Sequence, residues 1–428
     1  MSNKAKTTAV KNDRKPELMP KLRFPEFQDA QGWEETRLAE VLSPIVREQK
    51  KPSEAYTGLG LRSHGKGTFL KPLENPEKNS MEYLYEVKCH DLVVSITFAW
   101  EGAVAIAQTA DDGALVSHRF PTYTFEKGKA IPGFFRYIIL DKQFVYNLGV
   151  ISPGGAGRNR VLNKNDFLKL SIFLPDIDEQ QKIADCLTSV DELIAAQARK
   201  VDALKTHKKG LLQQLFPREG ETQPRLRFPE FHDAEDWEET RLGRLGELIS
   251  GLTYSPDDVR ENGLLVLRSS NVQNGEISLD DCVYVDPDIK GANASYPNDI
   301  LICVRNGSAA LIGKNALIPE GMPLCTHGAF MTVFRSKSAR FVFQLFQTSR
   351  YQERVAADLG ATINSINGSQ LIKYKFFVPK PPEQKKLADC LSSLDELIAA
   401  QTQKLDALKT HKKGLMQQLF PSPEEVEV

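Results

Sequence analysis

The chain repeats itself at a fixed spacing of 204 residues, and this feature decides how its 428 residues can fold. The stretch Pro20–Leu38 recurs as Pro224–Leu242 with 15 of 19 positions identical, and Leu174–Pro217 recurs as Val378–Pro421 with 32 of 44 identical. A period of this size is that of a whole domain, well above the roughly 20–50 residues of a solenoid repeat. The chain is therefore a tandem duplication. Between the matching blocks lie residues 43–173 and 247–377, each 131 positions long, whose sequences have diverged until only scattered motif positions align. The two halves share a frame and differ in what the frame presents.

The C-terminal block of each half predicts a long helix. Ile183, Leu187, Val190, Ile194, Gln197, Val201 and Leu204 follow alternating steps of four and three, and Leu387, Leu391, Leu394, Ile398, Gln401, Leu405 and Leu408 repeat them. This is the seam spacing of a coiled coil. From Ile183 to Leu215 such a helix is about 48 Å long at about 1.5 Å per residue. A lone polar residue in a seam sets register. Gln197 and Gln401 lie near the middle of their stripes, so an antiparallel pairing of the two helices would bring them together. The alternative is that each stripe packs only on its own domain. Asp178 and Glu179 suit a helix N-terminus by charge, and Pro217 and Pro421 end the helices.

The divergent regions read as mixed α and β, giving an α+β chain. Leu92–Phe98, Phe120–Phe125, Ile300–Val304 and Phe330–Phe334 are β-branched or aromatic runs, whereas Phe134–Leu140 and Phe341–Ala357 have helical spacing. Trp33 and Trp237 open the two modules as core residues. The expected layout is a disordered tail over 1–19, a variable domain over 20–173, a long helix over 174–217 and a linker over 218–223. A second variable domain over 224–377, a second long helix over 378–421 and an acidic tail over 422–428 complete it.

Catalytic and membrane classes find little support. The first 19 residues carry five cations but no apolar run of a signal peptide, and no stretch approaches a membrane span. Six cysteines show no C-x-x-C pair, which fits reduced thiols and a cytoplasmic location. Gly60–Lys66 has phosphate-loop spacing, but Gly67 stands where Ser or Thr should hold magnesium, and Gly307–Lys314 is one residue too long. No His pattern suits a metal. The acidic cluster Asp176, Asp178 and Glu179 is not kept in the second copy, so helix capping is the simpler account. No cofactor is expected in this chain.

Binding is what remains. The formal net charge of −1, from 55 Lys plus Arg against 56 Asp plus Glu, argues at face value against nucleic acid. Split by module, residues 43–173 hold 17 cations against 13 acids and residues 247–377 hold 12 against 13. The candidate DNA-contacting residues in the first region are Arg62, Ser63, His64 and Lys66, then His118 and Arg119, then Arg158 and Arg160. In the second they are Arg268, Ser269 and Asn271, then Arg305 and Asn306, then Lys314. Arg and Asn can make bidentate hydrogen bonds to guanine and adenine edges, while Ser, Lys and backbone amides suit phosphate.

These residues resemble a known family. Each variable region opens with Trp-x4-Leu (Trp33 to Leu38, Trp237 to Leu242). Each closes with Pro-x-x-x-Glu-Gln-x-x-Ile/Leu before a long helix (Pro175 to Ile183, Pro379 to Leu387), and each helix ends in Lys-Lys-Gly-Leu-Leu/Met-Gln-Gln-Leu-Phe-Pro. The pattern is similar to the specificity subunit of type I restriction-modification systems from Pro20 to Pro421. The resemblance implies a noncatalytic subunit with two target recognition domains, each reading one half of a bipartite, non-palindromic duplex DNA sequence. The paired helices would space the domains and dock two methyltransferase subunits. Those partners would bring S-adenosylmethionine, and motor-nuclease subunits would bring ATP and Mg chemistry. Two other readings stay open: a stand-alone DNA-binding regulator, and a coiled-coil interaction scaffold.

Overall fold

The computed structural model describes residues 17–155, 160–359 and 365–421. It divides into two compact units, one made of Met1–Ala196 with Asp406–Val428 and the other of Gln197–Leu405. The long helices run over Ile177–Leu215 and Pro381–Leu419, 39 residues each, so each helix starts in one unit and ends in the other. Among the described residues, no helix is long and apolar enough to cross a membrane.

In each unit the start and end of the variable region are joined by antiparallel pairing. Trp33–Arg37 pairs with Ser171–Leu174, placing Phe173 opposite Glu35; Glu238–Arg241 pairs with Lys375–Val378, placing Phe377 opposite Glu239. The register is the same at the 204-residue offset, so the duplicated frame is a strand clamp followed by a helix. In the first unit Glu17–Leu18 adds a short strand against Trp33 and Glu34, three residues ahead of Pro20.

The Glu-Gln pair that precedes each long helix has a structural task. Glu179 is buried and forms an ion pair with Arg23, whose guanidinium also donates to the carbonyls of Ala30 and Gln31 at 2.7 Å each. Glu383 pairs with Arg227 in the same way, and Arg227 donates to the carbonyls of Ala234 and Glu235. Glu179 is thus more than the N-terminal helix charge that its position suggests: it locks the opening motif onto the helix. Gln180 donates to the carbonyls of Pro175 and Lys129 and accepts from the Ile131 amide.

The cores exchange their last residues. Trp33, almost fully buried, meets Phe134 and Phe420 at 5.6 Å between ring centroids, and Trp237 meets Phe216 at 6.0 Å. Phe420 directly follows the second helix and Phe216 the first, so each unit's core is closed by the block that began in the other repeat. Ile183 and Leu187 pack in the first core, Leu387 and Leu391 in the second. Within the second unit, Gln197 donates from Nε2 to the Gln401 carbonyl at 2.8 Å and to its Oε1 at 3.0 Å, and Lys208 meets Asp395 at 2.5 Å. Within the first, Lys412 meets Asp191 at 2.6 Å. Val201 and Leu405 are buried, whereas Val190, Ile194, Leu204, Leu394, Ile398 and Leu408 are half-buried.

The variable regions share one sheet and differ in the other. Leu42–Ile45, Thr122–Phe125, Leu92–Val94 and Val104–Ile106 lie in that order in the first unit. The same order is kept in the second by Glu247–Ser250, Met331–Arg335, Ile300–Cys303 and Asn315–Leu317. Among the described residues, what remains is a five-stranded sheet in the first unit and, in the second, a four-stranded sheet with a separate two-stranded one. Phe341–Ala357, expected as one helix, is two, Ala339–Leu345 and Ser349–Asp358. Thr348 breaks the run by capping the second helix, its hydroxyl accepting from the Tyr351 amide.

Candidate nucleic-acid interface

The loops that carry the candidate residues of the first unit meet at one turn, residues 95–102. The Ile96 amide donates to the Arg119 carbonyl at 3.0 Å, and the Leu162 amide donates to the Ile96 carbonyl at 2.8 Å. At the far end of the turn, the amides of His64 and Gly65 donate to the carbonyls of Glu101 and Gly102 at 2.7 and 2.9 Å. Ser63 Oγ adds a bond to Glu101 Oε2 at 2.7 Å. Three sequence-distant loops are thereby gathered: Arg62–Lys66, His118–Arg119 and the segment at Arg160. The first is a tight turn in which His64, at φ 61°, and Gly65, at φ 63°, both adopt left-handed backbone.

The side chains divide by what they already hold. Arg62, His64, Lys66, His118 and Arg119 are exposed. Arg62 lies over Phe69 at 5.2 Å and donates to the Thr68 carbonyl. Arg160 stacks on Trp100 at 5.1 Å and spends its donors on the carbonyls of Ser152 and Gly149. That makes it a brace for the turn. Arg158 lies outside the described residues.

The second unit builds the same junction from different residues. The Val304 amide donates to the Phe330 carbonyl at 3.0 Å and the Ile366 amide to the Val304 carbonyl at 2.8 Å, so Val304 stands where Ile96 stands and Phe330 where Arg119 stands. Asn306 Nδ2 donates to Ser269 Oγ at 3.1 Å, which brings the Arg305–Asn306 and Arg268–Asn271 loops together. Arg268 is taken up by Asp281 at 2.7 Å. Asn271 corrects the sequence reading: it is fully buried, its Oδ1 accepts from the Arg268 amide and its Nδ2 donates to the carbonyls of Ser278 and Asp281. Every polar group of Asn271 is spent on shaping the loop. Lys314 is half-buried, its carbonyl accepts from the Cys303 amide at 2.9 Å, and it lines a cavity with Tyr351 and Gln352.

Sequence reasoning missed the junction itself. Ile96 and Val304 act through backbone groups, which no side-chain pattern reports. Phe98 and Phe330 stand exposed on these turns. Behind the second junction, His327 is buried with Nδ1 2.9 Å from Ser295 Oγ and Nε2 2.9 Å from the Ile249 carbonyl, and burial pushes its pKa down. Among the described residues, no group of three or more His, Cys, Asp or Glu side chains could hold a metal ion.

Residues 30–206 and 234–410 each match the family model described as the type I restriction modification DNA specificity domain. The chain belongs to this family. Within the specificity family, it is 26% identical over 271 residues to the type I restriction enzyme MjaVIII specificity subunit of Methanocaldococcus jannaschii, covering 60% of this chain and 63% of that one. It is 28% identical over 170 residues to the EcoKI specificity subunit of Escherichia coli K12, covering 37% and 36%. The matches thus span less than two thirds of these relatives' lengths. The fold is similar to that of the type I restriction-modification S subunit from M. genitalium, with a TM-score of 0.60 at 16% identity over 95% of this chain and 100% of that one. A chain from a structure of type I R-M complex assembly gives 0.53 at 18% identity, covering 91% and 98%.

Proposed function

We propose that this chain is the DNA-recognition subunit of a type I restriction-modification complex and performs no chemistry of its own. Residues 20–173 and 224–377 act as two target recognition domains that read the halves of a bipartite, non-palindromic duplex. The helices over 174–217 and 378–421 pair as an antiparallel coiled coil that spaces the readers and docks two methyltransferase subunits. The segment 218–223 links the repeats. S-adenosylmethionine belongs to the methyltransferase partners, ATP and Mg to the motor-nuclease partners, and the setting is the cytoplasm.

The observation that carries this reading is the junction at Ile96 and Val304. One backbone arrangement gathers loops in both units, yet it displays Thr97, Phe98 and Arg119 in the first and Arg305, Asn306 and Phe330 in the second. A constant support with changing side chains is what two readers of different half-sites need. Near-zero net charge fits a subunit whose phosphate grip comes mainly from its partners. The test is to replace residues 43–173 with the same region of another family member and to map DNA methylation in cells carrying the partner subunits. One half of the methylated sequence should change. A change in both halves, or in neither, defeats the modular reading.

A further inference from the structure

We propose that Arg305 reads a guanine in the half-site served by the second recognition domain. This rests on the DNA-recognition function proposed above and adds the residue and the base. The backbone of Arg305 is held from both sides. Its amide donates to the Phe330 carbonyl at 3.1 Å, its own carbonyl accepts from Cys303 Sγ at 3.5 Å, and it forms an antiparallel bridge with Ser365. The guanidinium lies over the Phe330 ring, 5.8 Å from its centroid. Phe330 is itself 57% exposed, so ring and cation stand together in solvent.

What separates Arg305 from the other arginines near this junction is its free hydrogen-bonding edge. Arg268 is engaged by Asp281, and Arg335 is engaged by Asp299 while lying over Tyr296. Among the described residues, no carboxylate, carbonyl or amide accepts from the Arg305 guanidinium. Its neighbours are neutral: Asn306 is bound to Ser269, and the Ser308 amide donates to Asn306 Oδ1 at 3.0 Å. An aromatic ring beside a guanidinium limits the rotamers that must be given up on binding and accepts no N–H hydrogen bond in place of a base, so the donors stay available. Guanine offers the matching pair of acceptors, N7 and O6, in the major groove, and a fork of two N–H donors satisfies both. A phosphate contact would require neither the fixed backbone nor the ring. Phe330 is thus a positioning residue and Arg305 the reader.

The test uses the full chain expressed with its methyltransferase partners and long-read mapping of methylated sites. Absence of any sequence-specific methylation in the unmodified chain counts against the proposed function itself. Given a specific motif, Arg305→Ala should relax one G·C pair in one half, losing roughly 5- to 150-fold discrimination there, while the other half stays intact. Arg305→Gln should move the preference at that position toward adenine, whose N6 and N7 suit an amide. Phe330→Ala should relax the same position less. The proposal is overturned by an unchanged motif in Arg305→Ala, by relaxation at a pair other than G·C, or by uniform loss at every site in both Arg305 variants.

Discussion

Arg23 grips Glu179 through two parallel hydrogen bonds, Nε to Oε1 at 2.8 Å and Nη2 to Oε2 at 2.6 Å, and Arg227 grips Glu383 likewise at 2.8 Å for each. Both carboxylates are buried, and both arginines satisfy their remaining donors on the turn that precedes the clamp strand. Truncating one partner leaves the other charge buried and alone. Glu179→Ala should therefore cost the first unit about 3–5 kcal/mol. Glu383→Ala should cost the second unit about 1 kcal/mol more, because Glu383 also accepts from Trp237 Nε1 at 3.3 Å. Urea unfolding with hydrogen exchange read separately over each unit measures both, and a loss under about 1 kcal/mol for either would show that the pair is not structurally required.

His327 makes the second unit sensitive to acid. Burial lowers its pKa below the ordinary 6.5, while the Ile249 carbonyl and Asp299 act weakly in the other direction. The unfolded chain thus binds this proton more readily than the folded one, so the contribution is complete above about pH 6.5 and falls as the pH drops toward the lowered folded value. The thermal midpoint of the second unit should decline over that window. His327→Gln keeps a donor and an acceptor but cannot titrate, and its decline should be shallower. Equal slopes for the two proteins would remove His327 as the cause.

The two seam glutamines give a direct distance test. With the native cysteines replaced by serine, Gln197→Cys together with Gln401→Cys should oxidise to an intramolecular disulfide, since the Gln197 amide already reaches both the backbone and the side chain of Gln401. Gln197→Cys paired with a cysteine at Leu394 should not. Non-reducing electrophoresis after mild oxidation separates the outcomes, and equal crosslinking of both pairs would point to a sliding seam.

The frame was legible in the sequence because its evidence is periodic. Identical blocks at one offset, a four-three stripe and a tryptophan at the start of each clamp are patterns of side chains, and burial of Trp33, Trp237, Leu187 and Leu391 follows from them. The loops were not legible in the same way. Asn271 looks like a base reader by residue type, yet its three hydrogen bonds shape the loop from inside. Arg160 looks like a DNA contact by residue type and instead braces Trp100. Both errors have one source: a polar side chain in a loop serves either solvent or its own backbone, and only tertiary contacts decide which. Glu179 misleads for the mirror reason, since a helix-start acid need not be buried. The junction at Ile96 and Val304 consists of amides and carbonyls and leaves no trace in residue type.

Phe216 and Phe420 should act on the unit opposite to their own repeat. Phe216 belongs to the block that ends the first helix, yet it stacks on Phe341 at 5.8 Å and meets Trp237 edge-on in the second core; Phe420 stacks on Phe134 at 5.4 Å in the first. Removing a buried aromatic leaves a cavity that the surrounding strands and helix cannot fill, so Phe216→Ala should cost the second unit about 3–5 kcal/mol. Phe420 is only partly buried, and Phe420→Ala should cost the first unit about 2–4 kcal/mol. Hydrogen exchange gives the location: Phe216→Ala should loosen strand Glu238–Arg241 and helix Ala339–Leu345 while strand Trp33–Arg37 keeps its protection, and Phe420→Ala should do the reverse. If Phe216→Ala instead loosened Trp33–Arg37, each helix would be closing its own repeat, and the exchange of core residues between repeats would be wrong.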